Sequence, residues 1–388
     1  MDPIISPFTV TTEQSAVDDL KTRLSNTRLA TSETVEDWTQ GVPLSYLSEL
    51  VRYWRDDYDF ERLATTLNQY PNWITSISDL DIHFIHVRSQ HADAMPLLIT
   101  HGWPGSVLEY IELIPRLTNP AAHGGTPDQA FHVVLPSLPG FGFSGKPDKP
   151  GVGVEAIAAI WDELMTRLGY ENFLAHGGDW GSLVTHSLVQ RPTTGCAAAH
   201  CTLPILAPDE ALLADPNEDE FDALSAFQFY QEWDSGYSKI QSTRPQSLAY
   251  GLADSPAGQL AWIIEKFAYW TDCVRHGIRH PENSIDRDSL LDNVTLYWMT
   301  NSAGSSAQLY WESFNQPDLS PIDKPMGLSV FPAEIMRASE RWARRRYHNL
   351  IHFNNSLPHG GHFSAMEAPD LLLKELRDWS QKARAVAD

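Results

Sequence analysis

Asp179 stands at the tip of Gly177-Gly178-Asp179-Trp180-Gly181, directly after the apolar run Asn172-Phe173-Leu174-Ala175 and before a helical pattern. A strand, a glycine-rich turn and a helix make a nucleophile elbow, which holds one side chain above the end of a sheet on strained backbone. Most such elbows carry Ser. A carboxylate there displaces a leaving group at an sp³ carbon and becomes an alkyl ester. Hydrolysing that ester needs a base that takes a proton from water. His362, in Pro358-His359-Gly360-Gly361-His362-Phe363, offers an imidazole on a tight glycine loop. The chain order nucleophile, acid, histidine then points to Glu334, just past Leu328-Ser329-Val330-Phe331, as the group that orients His362, with Asp323 its main rival. A pair of main-chain donors is also required. The N–H of Trp103, in His101-Gly102-Trp103-Pro104, can join that of Trp180 to hold an oxygen of Asp179 and the later oxyanion. The Trp103 and Trp180 side chains, with Phe141, are expected to line the substrate pocket.

These groups need a scaffold. Pro96-Leu97-Leu98-Ile99-Thr100 and Phe131-His132-Val133-Val134-Leu135 read as buried strands, and Ile157, Ile160, Trp161, Leu164 and Leu168 as one helix face. Strands return at 326–331 and 349–353, followed by a C-terminal helix around 371–379. Short apolar strands alternating with helices predict an α/β protein with a mostly parallel, doubly wound sheet, which binds ligands at the carboxyl ends of its strands. The alternation stops from about 206 to 320, an aromatic, helical stretch expected to cap the site. Residues 1–94 precede the first clear core strand, contain a helix from Leu44 to Tyr53, and read as an extension that wraps the core. The expected division is 1–94, 95–205, 206–320 and 321–388.

Acidic residues number 50 against 28 basic, a formal charge of −22. Such a surface repels nucleic acid and anionic lipid. The basic run Arg341 to Arg346 reads as a solvated helix face. Cys196, Cys201 and Cys273 have no paired spacing and are expected to be free, mostly buried thiols. There is no apolar run of about 18 residues, and Met1-Asp2-Pro3-Ile4-Ile5-Ser6-Pro7 lacks the signature of a secretory leader. A soluble, cytoplasmic protein is the expectation, and the sequons at Asn293 and Asn354 read as chance matches. His352, His359 and His362 have no carboxylate or cysteine at ligand spacing, so no metal is expected. No cofactor is expected either, because nucleophile, acid and base are all side chains. The plainest rival for Asp179 is an ordinary N-cap.

Taken together, His101-Gly102-Trp103-Pro104-Gly105-Ser106, Pro139-Gly140-Phe141-Gly142-Phe143-Ser144, Gly177-Gly178-Asp179-Trp180-Gly181 and Gly360-Gly361-His362-Phe363 resemble the microsomal-type epoxide hydrolases over nearly the whole chain. The resemblance implies an α/β-hydrolase fold with an inserted helical cap and an N-terminal extension. It implies conversion of a small apolar epoxide and water to a vicinal diol and, by family habit, a homodimer. It also implies two cap tyrosines that donate to the epoxide oxygen. Local sequence matches these to Tyr237, in Ser235-Gly236-Tyr237-Ser238-Lys239-Ile240-Gln241, and Tyr310, in Ser305-Ser306-Ala307-Gln308-Leu309-Tyr310-Trp311-Glu312. The chemistry agrees, since an alkoxide is a poor leaving group and a phenol aimed at it lowers the barrier. Tyr230, Tyr250, Tyr269 and Tyr297 are confounders in an aromatic segment where most tyrosines pack. The family's best-known member has an N-terminal membrane anchor, and none is expected here. Three alternatives remain: a haloalkane dehalogenase, which needs N–H donors for halide; an epoxide-opening cyclase, in which a substrate hydroxyl replaces water; and a non-catalytic receptor, which would show a broken triad.

Overall fold

The computed structural model describes residues 4–207, 210–314 and 318–387; residues 1–3, on which part of the leader assessment rests, and Asp388 lie outside them. In chain order the strands are β1 (Ile5–Phe8), β2 (Asn72–Ile77), β3 (Leu80–Val87), β4 (Met95–Thr100), β5 (Phe131–Pro136), β6 (Phe173–Gly177) and β7 (Cys196–Cys201). A small hairpin of β8 (Val274–Arg275) and β9 (Ile278–Arg279) stands apart, and β10 (Met326–Ser329) and β11 (Leu350–Asn354) complete the set. Among the described residues one nine-stranded sheet runs β1-β2-β3-β5-β4-β6-β7-β10-β11. Pairing is parallel from β5 to β11 and antiparallel from β1 through β3 to β5.

β6 and β10 are buried along their whole length, as strands covered on both faces must be. Side chains alternate between two apolar clusters, one on each face of the sheet. Leu98, Val134, Phe173 and Ala175 face the helices Val154–Arg167 and Trp180–Gln190. Leu97, Ile99, Val133, Leu135 and Leu174 face the helices Leu113–Thr118 and Pro369–Ala387. Trp161, wholly buried, donates its indole N–H to Thr100 Oγ1 at 3.1 Å, tying one helix to the strand end that precedes His101.

The sheet begins earlier than the sequence suggested. Segment 1–94 contributes three strands as well as helices. Leu80-Asp81-Ile82-His83-Phe84 alternates with period two, the mark of an antiparallel strand, and β3 adds directly to β5. The helix Leu44–Asp56 packs through Trp54, whose indole N–H donates to Thr295 Oγ1 at 2.9 Å, and Tyr58 donates to Asp292 at 2.5 Å. Both partners lie on the helix Arg287–Met299, which the N-terminal segment thereby braces. Between β7 and β10 the described residues are helical apart from the hairpin and connecting turns.

Smaller differences follow local rules. β10 ends at Ser329, two residues short of the expected strand, and Leu168 falls at the C-cap of its helix, half-buried. Arg346 is not solvated: its buried guanidinium donates to the carbonyls of Ile205, Asp318 and Ser320. Asn293 is buried with its amide on Pro104 O, so its sequon is closed to modification in the fold. The three cysteines are free and buried, and no described helix is long and apolar enough to cross a membrane.

Candidate active site

Asp179 follows β6 with φ 48° and ψ −126°, a left-handed backbone that costs an ordinary side chain roughly 1–3 kcal/mol. It precedes Trp180–Gln190 yet makes no side-chain capping bond, so the N-cap explanation fails. Its carboxylate instead turns toward the loop after β4. Trp103 N–H donates to Asp179 Oδ1 at 2.7 Å. That approach needs Gly102, where a Cβ would lie 2.1 Å from Asp179 Oδ1. Among the described residues no matching bond joins Trp180 N–H to Asp179. Trp180 opens the helix, so its N–H is one of the first-turn donors without an intrahelical partner.

The other two groups arrive from the far half of the sheet. Glu334 lies past β10 and His362 past β11, and the loops are laced together by a parallel bridge from Ala333 to Gly361. Gly360 adopts φ +100° within that turn, a conformation that favours glycine. Glu334 Oε1 accepts the His362 Nδ1 proton at 2.6 Å and the Ile335 N–H at 2.7 Å. An ionised carboxylate can only accept, which fixes Nδ1 as the donor and turns Nε2 the other way. Nε2 lies 3.3 Å from Asp179 Oδ2. The rival Asp323 is exposed and paired with His348, and His352 is engaged by Glu375 and Lys382.

Electrostatics separate the roles. Burial by itself would lower the His362 value, but the Glu334 and Asp179 carboxylates outweigh it and hold the ring well above ordinary histidine. Burial raises two further carboxyls, Glu109 and Glu367, to about 8 each. Glu367 lies four residues past Phe363 and accepts the N–H groups of Phe363 and Asp272, which stiffens the loop behind His362.

Aromatic rings close over Asp179. Trp103 stacks on Tyr237 with centroids 4.8 Å apart, and Trp180 meets Tyr310 edge-on at 4.7 Å. The two tyrosine rings are 5.7 Å apart, both buried, and the Tyr310 hydroxyl is without a hydrogen-bond partner among the described residues. Burial first holds both phenols well above their usual value, reinforced at Tyr237 by Tyr230, Tyr310 and Asp179 and at Tyr310 by Asp179 and Tyr230. Phe141 is buried, with His101 and Tyr297 as its ring partners.

Three residues were overlooked or set aside in the sequence. Tyr230 shares a hydrogen bond with Tyr237 across 3.2 Å between hydroxyls. Its position seven residues before Tyr237, two helical turns, was an available signal. Trp270 accepts the His362 N–H on its carbonyl at 2.8 Å and lays its ring 5.0 Å from the imidazole. Glu109 lies buried beside the site. No local pattern distinguishes Trp270 or Glu109 from packing residues. The other confounders have different partners: Tyr297 donates to Gly105 O, Tyr269 to Trp38 O, and Tyr250 is exposed.

A doubly wound sheet with an elbow carboxylate, a histidine and an acid at its strand ends defines an enzyme of the α/β-hydrolase fold. Residues 5–110 match the family model described as epoxide hydrolase N terminus, and residues 95–239 match that of the α/β hydrolase fold. A Stigmatella aurantiaca protein, provisionally named an epoxide hydrolase, is 49% identical over 98% of this chain and 86% of its own. Epoxide hydrolase 1 of Oryctolagus cuniculus is 34% identical over 97% of this chain and 88% of its own. The crystal structure of juvenile hormone epoxide hydrolase from Bombyx mori superposes with TM-score 0.91 at 30% identity, covering 100% of this chain and 96% of that one. The chain belongs to the epoxide hydrolase family.

Proposed function

We propose that this enzyme hydrolyses apolar epoxides to vicinal diols through an ester on Asp179. An Asp179 oxygen bonds to an epoxide carbon while the ring C–O bond breaks, and a phenolic proton from Tyr237 or Tyr310 passes to the leaving oxygen. His362 Nε2, oriented by Glu334, then takes a proton from water, whose oxygen attacks the ester carbonyl carbon. Trp103 N–H steadies the resulting oxyanion, with Trp180 N–H as the second donor. On collapse the bond from the carbonyl carbon to the substrate oxygen breaks, that oxygen takes the second water proton to complete the diol and leave Asp179 a carboxylate, and the proton on His362 restores the phenol. Supporting this sequence above all is the placement of His362 Nε2, 3.3 Å from Asp179 Oδ2, under two buried cap tyrosines.

In the same proposal residues 206–320 act as the cap, carried between core segments 95–205 and 321–388, with 1–94 as a bracing extension. The test is mass spectrometry of intact His362→Gln after brief exposure to styrene oxide, with peptide mapping and wild type beside it. The variant should gain one substrate mass at Asp179 while wild type releases diol. Alkylation at another residue with turnover intact would overturn the mechanism.

A further inference from the structure

Lys266 carries a buried ammonium that no step above uses. It lies four residues before the end of the helix Pro256–Trp270 and is 2% exposed. Nζ pairs with Asp234 Oδ1 at 3.2 Å and with Glu265 Oε1 at 2.5 Å. Asp234 closes a π-helical turn, Tyr230–Asp234, three residues before Tyr237, and it also accepts the Trp270 indole N–H. Those contacts alone would make Lys266 a tie between two cap elements. Its remaining contact differs in kind. Nζ stands 4.7 Å from the centroid of the Tyr237 ring, nearer than to the Trp270 ring at 5.6 Å. A cation is drawn to the face of a neutral phenol, and more strongly to a ring carrying phenoxide charge. Only such a difference between ground and transition states accelerates a reaction.

Resting on the role of Tyr237 proposed above, we infer that Lys266 is a positioning residue acting through Tyr237, stabilising the phenoxide formed as its proton passes to the epoxide oxygen. The balance closes. The Asp179 oxygen gains its bond to carbon, the ring C–O bond breaks, and the departing oxygen takes the Tyr237 proton. The negative charge moves from Asp179 to the phenoxide beside the ammonium, and Lys266 keeps all three of its protons.

Single-turnover kinetics with styrene oxide separate ester formation from ester hydrolysis and test this. Lys266→Met removes the charge and keeps the stem. Because it strips Asp234 of its cation, Lys266→Met/Asp234→Asn is measured beside it. Ester formation should slow on the order of 10- to 30-fold in both, while hydrolysis of the ester keeps its rate and Lys266→Arg recovers most of the loss. In a Tyr237→Phe background, Lys266→Met should change ester formation by less than about twofold. Full-sized slowing in that background, equal slowing of both steps, or unchanged ester formation would each overturn the inference. A wild-type enzyme that forms neither ester nor diol would instead overturn the proposed function, before any variant is compared.

Discussion

His362 Nε2 faces Asp179 Oδ2 across 3.3 Å, close enough that a protonated ring pairs directly with the nucleophile. Burial disfavours the imidazolium, but Glu334 and Asp179 together keep it well above the usual histidine value. A protonated ring cannot accept a proton from water. Ester formation turns Asp179 neutral and removes one of the two carboxylates, leaving burial less opposed. The His362 value must therefore fall once the ester exists. Hydrolysis of the alkyl-enzyme is expected to rise with pH through a midpoint below that of His362 in the free enzyme. Stopped-flow decay of the ester, set against an NMR titration of the His362 ring, checks this; coincident midpoints would refute it.

Glu334→Gln tests the orienting acid. The amide can still face Nδ1, but the charge that sustains the imidazolium is gone. Ester hydrolysis should slow on the order of 10²- to 10⁴-fold, with ester formation within about threefold of wild type. The ester should then accumulate in the variant and be visible by mass.

The two tyrosines should part company in stability. Tyr310→Phe removes a hydroxyl that has no partner among the described residues, so the melting temperature should hold or rise. Tyr237→Phe takes away the partner of Tyr230 and should cost about 1 kcal/mol. Both should slow ring opening, by roughly 10²- to 10³-fold if each phenol serves the developing alkoxide. Calorimetry and single-turnover rates on the same preparations would separate the two effects.

Glu109 gives a prediction about pH and folding. Burial raises its carboxyl to about 8, above its ordinary value of 4.5. A raised folded-state value means stability that is fully present below the unfolded value and lost as pH climbs through about 8. One such group gives a slope of roughly 1.4 kcal/mol per pH unit inside that window. Chemical denaturation of Glu109→Gln should therefore show a shallower fall between pH 5 and 8 than wild type. Glu367, raised for the same chief reason, supplies the slope that persists.

The parts of this site that were legible in the sequence are those whose geometry is set within a few residues. The elbow at Asp179, the turn carrying Trp103 and the glycine loop before His362 each come within eight residues after a strand, so strand, turn and side chain come from one stretch of chain. Glu334 was placed by chain order and Asp323 was its rival; only the pairing of the two loops decides between them. The link from Asp234 to Lys266, and the hold of the Trp270 carbonyl on His362, join residues far apart in sequence that nothing local announces. β2 and β3 were missed for another reason. They lie in the segment read as an extension preceding the first core strand, and they pair antiparallel, outside the alternation of parallel strands and helices that marked the core.

Trp270 has one more implication. Its carbonyl holds the His362 N–H, its ring lies against the imidazole, and its indole is fastened to Asp234. A hinged lid that swung this helix end away would pull the base out of register with it. Substrate is therefore expected to pass by side-chain and loop breathing beneath a seated roof. Deuterium exchange at the single amide of His362 would act as a clock for how often that roof lifts.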